Sequence, residues 1–187
     1  MLVDANDIDG SFLLEQEIRF RWNGRTGSSR AVIQHACGEL TVLLLTPFGT
    51  PGVVVRQRGT HVESEVRAGT RLPFEPRRVL RDIHRGLFVR LAGPPVEDGR
   101  REAALPGGER VEEVWAEGRL RERSYRTSGE PREQVQVLYP EGLAEGEIPA
   151  ALSIESRRFG YRLDITTLSR VAVGCSPQDS LPGGPPR

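Results

Sequence analysis

The chain has 187 residues, enough for one domain whose core needs neither a metal nor a disulfide for stability. Its 26 basic residues are all arginine and balance 26 acidic residues, and the two signs interleave along the chain. This pattern argues against a nucleic-acid partner, because such proteins usually gather a basic excess into one stripe. No run reaches the roughly 18 consecutive apolar residues of a membrane span, and the 21 glycines and 14 prolines suit an all-β chain with many turns.

The first strong strand signal covers residues 12–22, where apolar and charged side chains alternate. Such a period of two is typical of a half-buried antiparallel strand. Its apolar face consists of Leu14, Ile18, Phe20 and Trp22. An Asn-Gly turn follows, and residues 30–37 are predicted to form the returning strand.

Residues 40–46, which read Leu-Thr-Val-Leu-Leu-Leu-Thr, are apolar on both faces. A run of this kind is typical of a strand covered on both sides, so another element of the fold must lie over it. The loop that follows is rich in proline and glycine and carries Phe48. Residues 53–58 and 61–66 then form a predicted hairpin.

One amphipathic helix is predicted over Pro76–Phe88, with a proline in its first turn. The residues that recur at helical spacing are Val79, Leu80, Ile83, Leu87 and Phe88. The opposite side is filled by charged residues, namely Arg77, Arg78, Arg81, Asp82 and Arg85. Gly86 weakens the prediction for the last turn.

Residues 92–108 are rich in glycine, proline and charge and are interpreted as a loop. The remaining predicted strands cover residues 110–117, 120–125, 134–139, 151–157 and 161–167. About ten strands in sequence, with one helix between the fifth and the sixth, indicate an unclosed antiparallel β-barrel, mostly β, whose helix covers its interior or mouth. The predicted organisation is a flexible segment over 1–10, a single domain over 11–175 and a disordered Pro/Gly-rich tail over 176–187.

The residues that could carry chemistry are few. His35, His61 and His84 lack the spacing of metal ligands, so no metal site is predicted. His35 and Cys37 could form a nucleophilic pair, but a surface histidine beside a half-buried cysteine is the favoured interpretation. A disulfide between Cys37 and Cys175 is geometrically conceivable and stays open. The sequence therefore predicts no catalytic residue and no cofactor.

Short motifs resemble a known family. Leu43–Thr50 resembles the leucine-rich strand and Pro-Leu-Gly loop of the outer-membrane lipoprotein receptor of the Lol pathway, in the LolA/LolB-like superfamily. Ile148–Ile154 and Tyr161–Ile165 resemble its closing hairpin, and Leu72-Pro73 ahead of the helix is similar to an uncharacterised bacterial branch. The resemblance covers about residues 11–173.

The resemblance implies an unclosed β-barrel with an α-helical lid and an apolar cavity for acyl chains. It also implies a periplasmic or outer-membrane-associated protein, often anchored through a lipidated N-terminal cysteine. This sequence shows neither that cysteine nor a signal, so the anchor is expected to be absent or removed. The protruding apolar loop residue of the receptor aligns with Phe48, which the resemblance therefore places in solvent.

The leading hypothesis is a non-enzymatic carrier or receptor, expected to be a monomer, that binds lipid or acylated lipoprotein cargo at an inner or outer membrane surface. The expected ligand-binding residues are Phe20, Trp22, Val42, Leu44, Phe48, Val79, Ile83 and Leu87. One rival is a cofactor-free enzyme acting on an apolar metabolite, which a buried polar cluster in the cavity would favour. The other is a structural envelope component, which a dry, filled barrel would favour.

Overall fold

Eleven antiparallel strands form a single sheet in the computed structural model, which describes residues 2–67, 75–93, 96–127 and 133–175. The strands are Phe12–Trp22 (β1), Arg25–Ala36 (β2), Glu39–Leu45 (β3), Pro51–Arg58 (β4), His61–Val66 (β5), Gly99–Ala104 (β6), Glu109–Ala116 (β7), Arg119–Thr127 (β8), Gln134–Leu143 (β9), Ala151–Ser156 (β10) and Tyr161–Ala172 (β11). One helix, Pro76–Ile83 (α1), continues into a π-helical turn over His84–Phe88, and a short 3-10 turn, Ala5–Asp7, precedes β1.

The first and last strands meet in the middle of the sheet. β1 pairs with both β2 and β11, whereas β5 and β6, which are consecutive in the chain, form the two edges. The sheet is therefore not closed, which confirms the predicted unclosed antiparallel barrel. The strand that the sequence missed is β6, which lies within the stretch predicted to be a loop. Its Gly-Arg-Arg-Glu-Ala-Ala sequence suits an exposed edge strand and has no apolar alternation.

The helix lies inside the curve of the sheet, as the apolar run of β3 predicted. The hydroxyl groups of Tyr125 on β8 and Tyr139 on β9 donate to the carbonyl oxygens of Arg85 and Gly86, at 2.8 and 3.0 Å. On the other half of the sheet, Gln57 on β4 bonds to the helix through His84. One helix can contact strands this far apart in the sheet order only if the sheet curves around it.

Gly86 lies against β10. A Cβ atom at this position would lie 3.4 Å from Leu152 and 3.6 Å from Ile154. The helix also changes geometry here, because the amide of Val89 donates to the carbonyl of His84, a five-residue spacing that defines a π turn. The last turn is thus helical, but it is not the α-helix that the sequence predicted.

Part of the charged side of the helix is buried together with its apolar side, whereas Arg77 stays exposed. Asp82 is 3% exposed and Arg85 is 1% exposed, although the amphipathic pattern placed both opposite the apolar stripe. The reason is tertiary: because the sheet wraps around the helix, both sides meet strands. A hydrophobic pattern reports only one covered face, so it could not show this.

The N-terminal segment, predicted from the sequence to be flexible over residues 1–10, makes specific contacts with the barrel from residue 2 onward. Residues 2–10 pack across one end of the barrel, where Ala5 is fully buried. Gln57 donates to the carbonyl of Val3 at 2.7 Å, and the amide of Val3 donates to Nδ1 of His84 at 3.1 Å. His35 contacts the carbonyl of Ala5 at 2.9 Å. The polar side chains that hold the segment come from distant strands and from the helix, so the local composition gave no sign of them.

Cys37 and Cys175 form a disulfide, which resolves the pairing that the sequence left open. Their Cα atoms are 5.2 Å apart, and the bond joins the β2–β3 turn to the segment after β11. Cys37 is therefore not a nucleophile, and His35 is buried at 5% exposure instead of lying at the surface. The predicted tail over 176–187 and the Leu72-Pro73 motif lie outside the described residues.

Candidate functional site

Three turns gather at one end of the sheet, which we call the Phe48 end. The strand pairings Trp22–Arg25 and Trp22–Tyr161 place the β1–β2 and β10–β11 turns together there. The β3–β4 turn lies at the same end and carries Phe48, which is 92% exposed. The predicted exposure of Phe48 is thus what the structure shows.

An apolar patch remains half-buried on the inner face at this end. We call it the inner-face patch, and it consists of Ile18, Phe20, Trp22 and Leu44. Phe20 packs directly on β2, since a Cβ atom at Gly27 would lie 2.5 Å from its ring. Glycine at position 27 therefore creates the space that the aromatic ring occupies. Three of the four patch residues belong to the ligand-binding set predicted from the sequence.

The structure separates the other predicted ligand-binding residues. Val42, Val79 and Ile83 are at most 7% exposed and belong to the closed core. Leu87 lies at the opposite end, where it lines an open cleft of about 610 Å³ that we call the N-terminal cleft. The apolar lining of this cleft includes Leu2, Ile8, Phe12, Leu87, Phe88 and Ile148. The eight predicted residues therefore do not form one continuous site.

A buried ionic cluster, which the sequence did not reveal, fastens the helix to the sheet. We call it the Arg85 cluster, and it consists of Asp82, Arg85, Glu109, Glu133 and Tyr161. Arg85 donates to Asp82 at 3.3 Å, to Glu133 at 3.2 Å and also to Glu109. Tyr161 donates to the second oxygen of Asp82 at 2.5 Å. Asp82 and Arg85 are three residues apart on the helix, but their other partners lie 24 to 79 positions away, so no local motif could disclose the cluster.

Burial governs the protonation of this cluster. Burial raises the pKa of the Asp82 carboxyl, while the hydrogen bond from Tyr161 and the charge of Arg85 oppose that rise. Burial also acts to lower the pKa of Arg85, but the charges of Glu109, Asp82 and Glu133 raise it overall. Arg85 therefore stays charged, and the pKa of Tyr161, raised by burial and by Asp82, keeps its hydroxyl protonated as a donor.

A second buried pair links β7 to β8. Arg123 donates to Glu113 at 2.7 Å, and the indole of Trp115 donates to the other carboxylate oxygen of Glu113 at 3.0 Å. Arg123 also contacts the hydroxyl of Tyr139 at 3.4 Å. A pocket beside this pair has a volume of only about 30 Å³, comparable to one water molecule.

The comparisons with known proteins agree with this architecture. A model of the family described as "Protein of unknown function (DUF3261)" matches residues 13–169. The chain belongs to the DUF3261 family. No curated protein matches it. Among solved structures, a LolA superfamily protein from Nitrosomonas europaea is similar with a TM-score of 0.53 and 12% identity, over 94% of this chain and 92% of that chain.

Two further solved structures are similar at lower scores. A DUF1329 family protein from Desulfovibrio piger has a TM-score of 0.44 and 11% identity, over 90% of this chain and 88% of that chain. A putative outer membrane lipoprotein-sorting protein domain from Vibrio parahaemolyticus has a TM-score of 0.41 and 10% identity, over 91% and 88%. The similarity to the Nitrosomonas europaea protein shows that this DUF3261 chain has a LolA-like fold, as the sequence resemblance implied.

The Arg85 cluster of this DUF3261 protein ties the helix to the sheet. A buried polar cluster lining the cavity would favour an enzyme. The Arg85 cluster lines neither the N-terminal cleft nor the inner-face patch, although its member Tyr161 borders a further cleft at the Phe48 end. Its charges are paired with one another and hold the helix against β7, β11 and the segment before β9. Within the described ranges, no three histidine, cysteine or acidic side chains are grouped to hold a metal ion.

Proposed function

We propose that this DUF3261 protein binds an acyl-bearing lipid or lipoprotein in the bacterial cell envelope and transfers it without chemical change. The observation that carries the proposal is an open half-barrel of LolA-like fold whose inner-face patch is half-buried at the end marked by exposed Phe48. An acyl chain laid along this patch would gain roughly 0.8 kcal/mol for each methylene group that it buries. Binding of this kind needs apolar area and few directional groups.

The disulfide supports a location in the envelope. Disulfides persist in oxidising compartments such as the bacterial periplasm and are rare in the cytosol. The bond between Cys37 and Cys175 therefore fits a periplasmic or outer-membrane-associated protein. Within the part of the chain that the structure describes, no helix has both the length and the apolarity needed to cross a bilayer.

Two neighbouring leucines on β3 provide a matched test. Leu43 and Leu44 are both half-buried, but only Leu44 faces the interior and packs against the core, because side chains alternate along a strand. Titration with a fluorescent diacylglyceryl lipopeptide should show binding at least roughly tenfold weaker for Leu44→Glu, since a leucine contact contributes about 1.5–3 kcal/mol. Leu43→Glu should bind like the wild type, and thermal melts would show that both variants are folded.

The N-terminal cleft is the alternative binding site for the acyl chain. Ile148 lines that cleft and is half-buried, so Ile148→Glu places a charge in it. If Ile148→Glu weakens binding while Leu44→Glu does not, the acyl chain binds in the N-terminal cleft and not along the inner-face patch. If no variant or wild-type protein binds the lipopeptide, and native mass spectrometry finds no copurified lipid, a structural role replaces the carrier function.

A further inference from the structure

A basic cleft of about 450 Å³ opens at the Phe48 end, where the first turn of α1 meets the β1–β2 and β10–β11 turns. The residues of this cleft that carry the argument are Trp22, Arg78, Arg157, Arg158, Phe159 and Tyr161. Arginine supplies three of the positions, and none of the described residues that line the cleft is acidic. In a chain with no net charge, the cleft is therefore a local concentration of positive charge.

Arg78 lines the basic cleft and shares its carboxylate partner, Glu133, with Arg85. Its guanidinium carbon lies 3.3 Å from the centre of the Phe159 ring, which orients the group at the cleft. Its Nη1 atom is buried without a hydrogen-bond partner and lies 3.8 Å from Oε1 of Glu133. That same carboxylate oxygen already accepts a hydrogen bond from Arg85 at 3.2 Å. Glu133 is thus shared between two guanidinium groups, and the Nη1 atom of Arg78 has no hydrogen-bond partner of its own.

The remaining wall of the basic cleft is aromatic and leads into the barrel. Trp22 and Phe159 are half-buried, and the hydroxyl of Tyr161 is bound to Asp82 of the Arg85 cluster. Arg158 lies 5.0 Å from the Phe159 ring, so two arginines flank one aromatic side chain. Trp22 belongs to both the basic cleft and the inner-face patch, which makes the two surfaces continuous.

We propose that the basic cleft binds the oxyanion headgroup, a phosphate or a carboxylate, of an amphiphile whose acyl chain continues along the inner-face patch. The inference rests on the proposed function and adds the chemical class of its ligand. Guanidinium groups offer paired N–H donors that match phosphate and carboxylate oxygens, and they are more weakly hydrated than an ammonium group. Phe48 is exposed at the same end, so it would contact a bilayer beside the bound headgroup.

Isothermal titration with three probes tests this assignment on the full chain, with every amphiphile kept below its micellar concentration. Dodecyl phosphate and dodecyl maltoside share one chain and differ in headgroup charge, while inorganic phosphate carries the charge alone. We expect dodecyl phosphate to bind at least tenfold more tightly than dodecyl maltoside. The double variant Arg157→Gln/Arg158→Gln, which leaves Arg78 as the remaining arginine of the cleft, should bring the affinities for the two amphiphiles close together.

A charge-matched control uses Arg100→Gln/Arg110→Gln, which removes two exposed arginines from β6 and β7, outside the basic cleft. This variant should keep the preference for dodecyl phosphate. Equal binding of both amphiphiles, or an Arg157→Gln/Arg158→Gln variant that behaves like the control, would overturn the headgroup assignment while the carrier function stands. Inorganic phosphate binding as tightly as dodecyl phosphate would show a free-anion site instead. Failure of both amphiphiles to bind would contradict the proposed function itself.

Discussion

Replacing Arg85 by methionine should destabilise this protein strongly, because three carboxylates would lose the cation that they surround. The side chains of Asp82, Glu109 and Glu133 are 4%, 6% and 8% exposed, so solvent cannot take over that role. Removing one partner of a buried ion pair typically costs about 3–5 kcal/mol. Methionine keeps much of the volume and length of arginine, which limits the contribution of a cavity.

The loss of unfolding free energy in Arg85→Met, which we call the deficit, should depend on pH because three buried carboxylates remain. Without Arg85, the cluster can lower its negative charge by keeping one carboxyl protonated. At pH 7 this costs about 4 kcal/mol, since pH 7 lies about 3.1 units above an ordinary aspartate pKa and each unit is worth about 1.36 kcal/mol. At pH 5 the same relief costs only about 1.5 kcal/mol. A carboxyl whose folded-state pKa is raised loses stability as pH rises, so the deficit of Arg85→Met should grow from pH 5 to pH 7.

Urea unfolding followed by far-UV circular dichroism measures this deficit at both pH values. Arg100→Met is the control, because Arg100 pairs with Glu112 at 2.9 Å but its side chain is 74% exposed. An exposed pair of this kind contributes under about 1 kcal/mol. If Arg85→Met costs no more than Arg100→Met at pH 7, or if its deficit shrinks as pH rises, the assignment of the Arg85 cluster as a charged tie is wrong.

Three further predictions concern single features of the fold. Phe48→Glu should cost under about 0.5 kcal/mol, because the side chain is 92% exposed, yet it should slow transfer of a fluorescent acylated cargo to acceptor liposomes. Leu168→Glu, at a second exposed apolar position, should transfer normally, and equal transfer by both variants would remove the role of Phe48. Burial lowers the pKa of His84 from 6.5 to about 4, so stability that is complete above about pH 6.5 should fall by up to roughly 3 kcal/mol as the pH approaches 4. His84→Gln should lack this loss in urea titrations, and a wild-type-like decline in that variant would assign the pH dependence to other groups. The double variant Cys37→Ser/Cys175→Ser should fold with a native circular dichroism spectrum. Its free energy of unfolding should fall by about 2–4 kcal/mol, because the disulfide links residues 138 positions apart and so restricts the unfolded chain. An unchanged urea midpoint would contradict this.

The strands that the sequence predicted well have one buried face and one exposed face. β1 has a strict alternation because its inner side chains meet the core and its outer ones meet solvent, and the structure places it over Phe12–Trp22. β6 was missed because an exposed edge strand buries little on either face and leaves no alternation to detect. Boundaries also shifted, since β2 begins at Arg25 and β11 extends to Ala172. In those stretches backbone pairing with β1 continues past the apolar pattern.

The candidate site was only partly predictable. Phe20, Trp22 and Leu44 could be found from strand periodicity, because that periodicity identifies the inner face of the sheet. Val79 and Ile83 lie on the correct helix face, but whether a residue on that face meets ligand or core depends on how closely the sheet approaches it. The basic cleft was invisible for another reason: its arginines come from the helix and from a turn about 80 residues away, in a chain where arginine is common everywhere.

The sequence by itself determined which elements form, because period-two and helical patterns are local consequences of one face being covered. The exposure of Phe48 was indicated by the family resemblance, and the proline and glycine that flank Phe48 agree with it. Only the tertiary structure decided which charges are buried, which cysteines are joined and which arginines converge. These outcomes depend on contacts between residues far apart in the chain. A charged residue such as Arg85 is stable in the interior only when carboxylates from distant parts of the chain pair with it. No local sequence pattern shows which carboxylates these are.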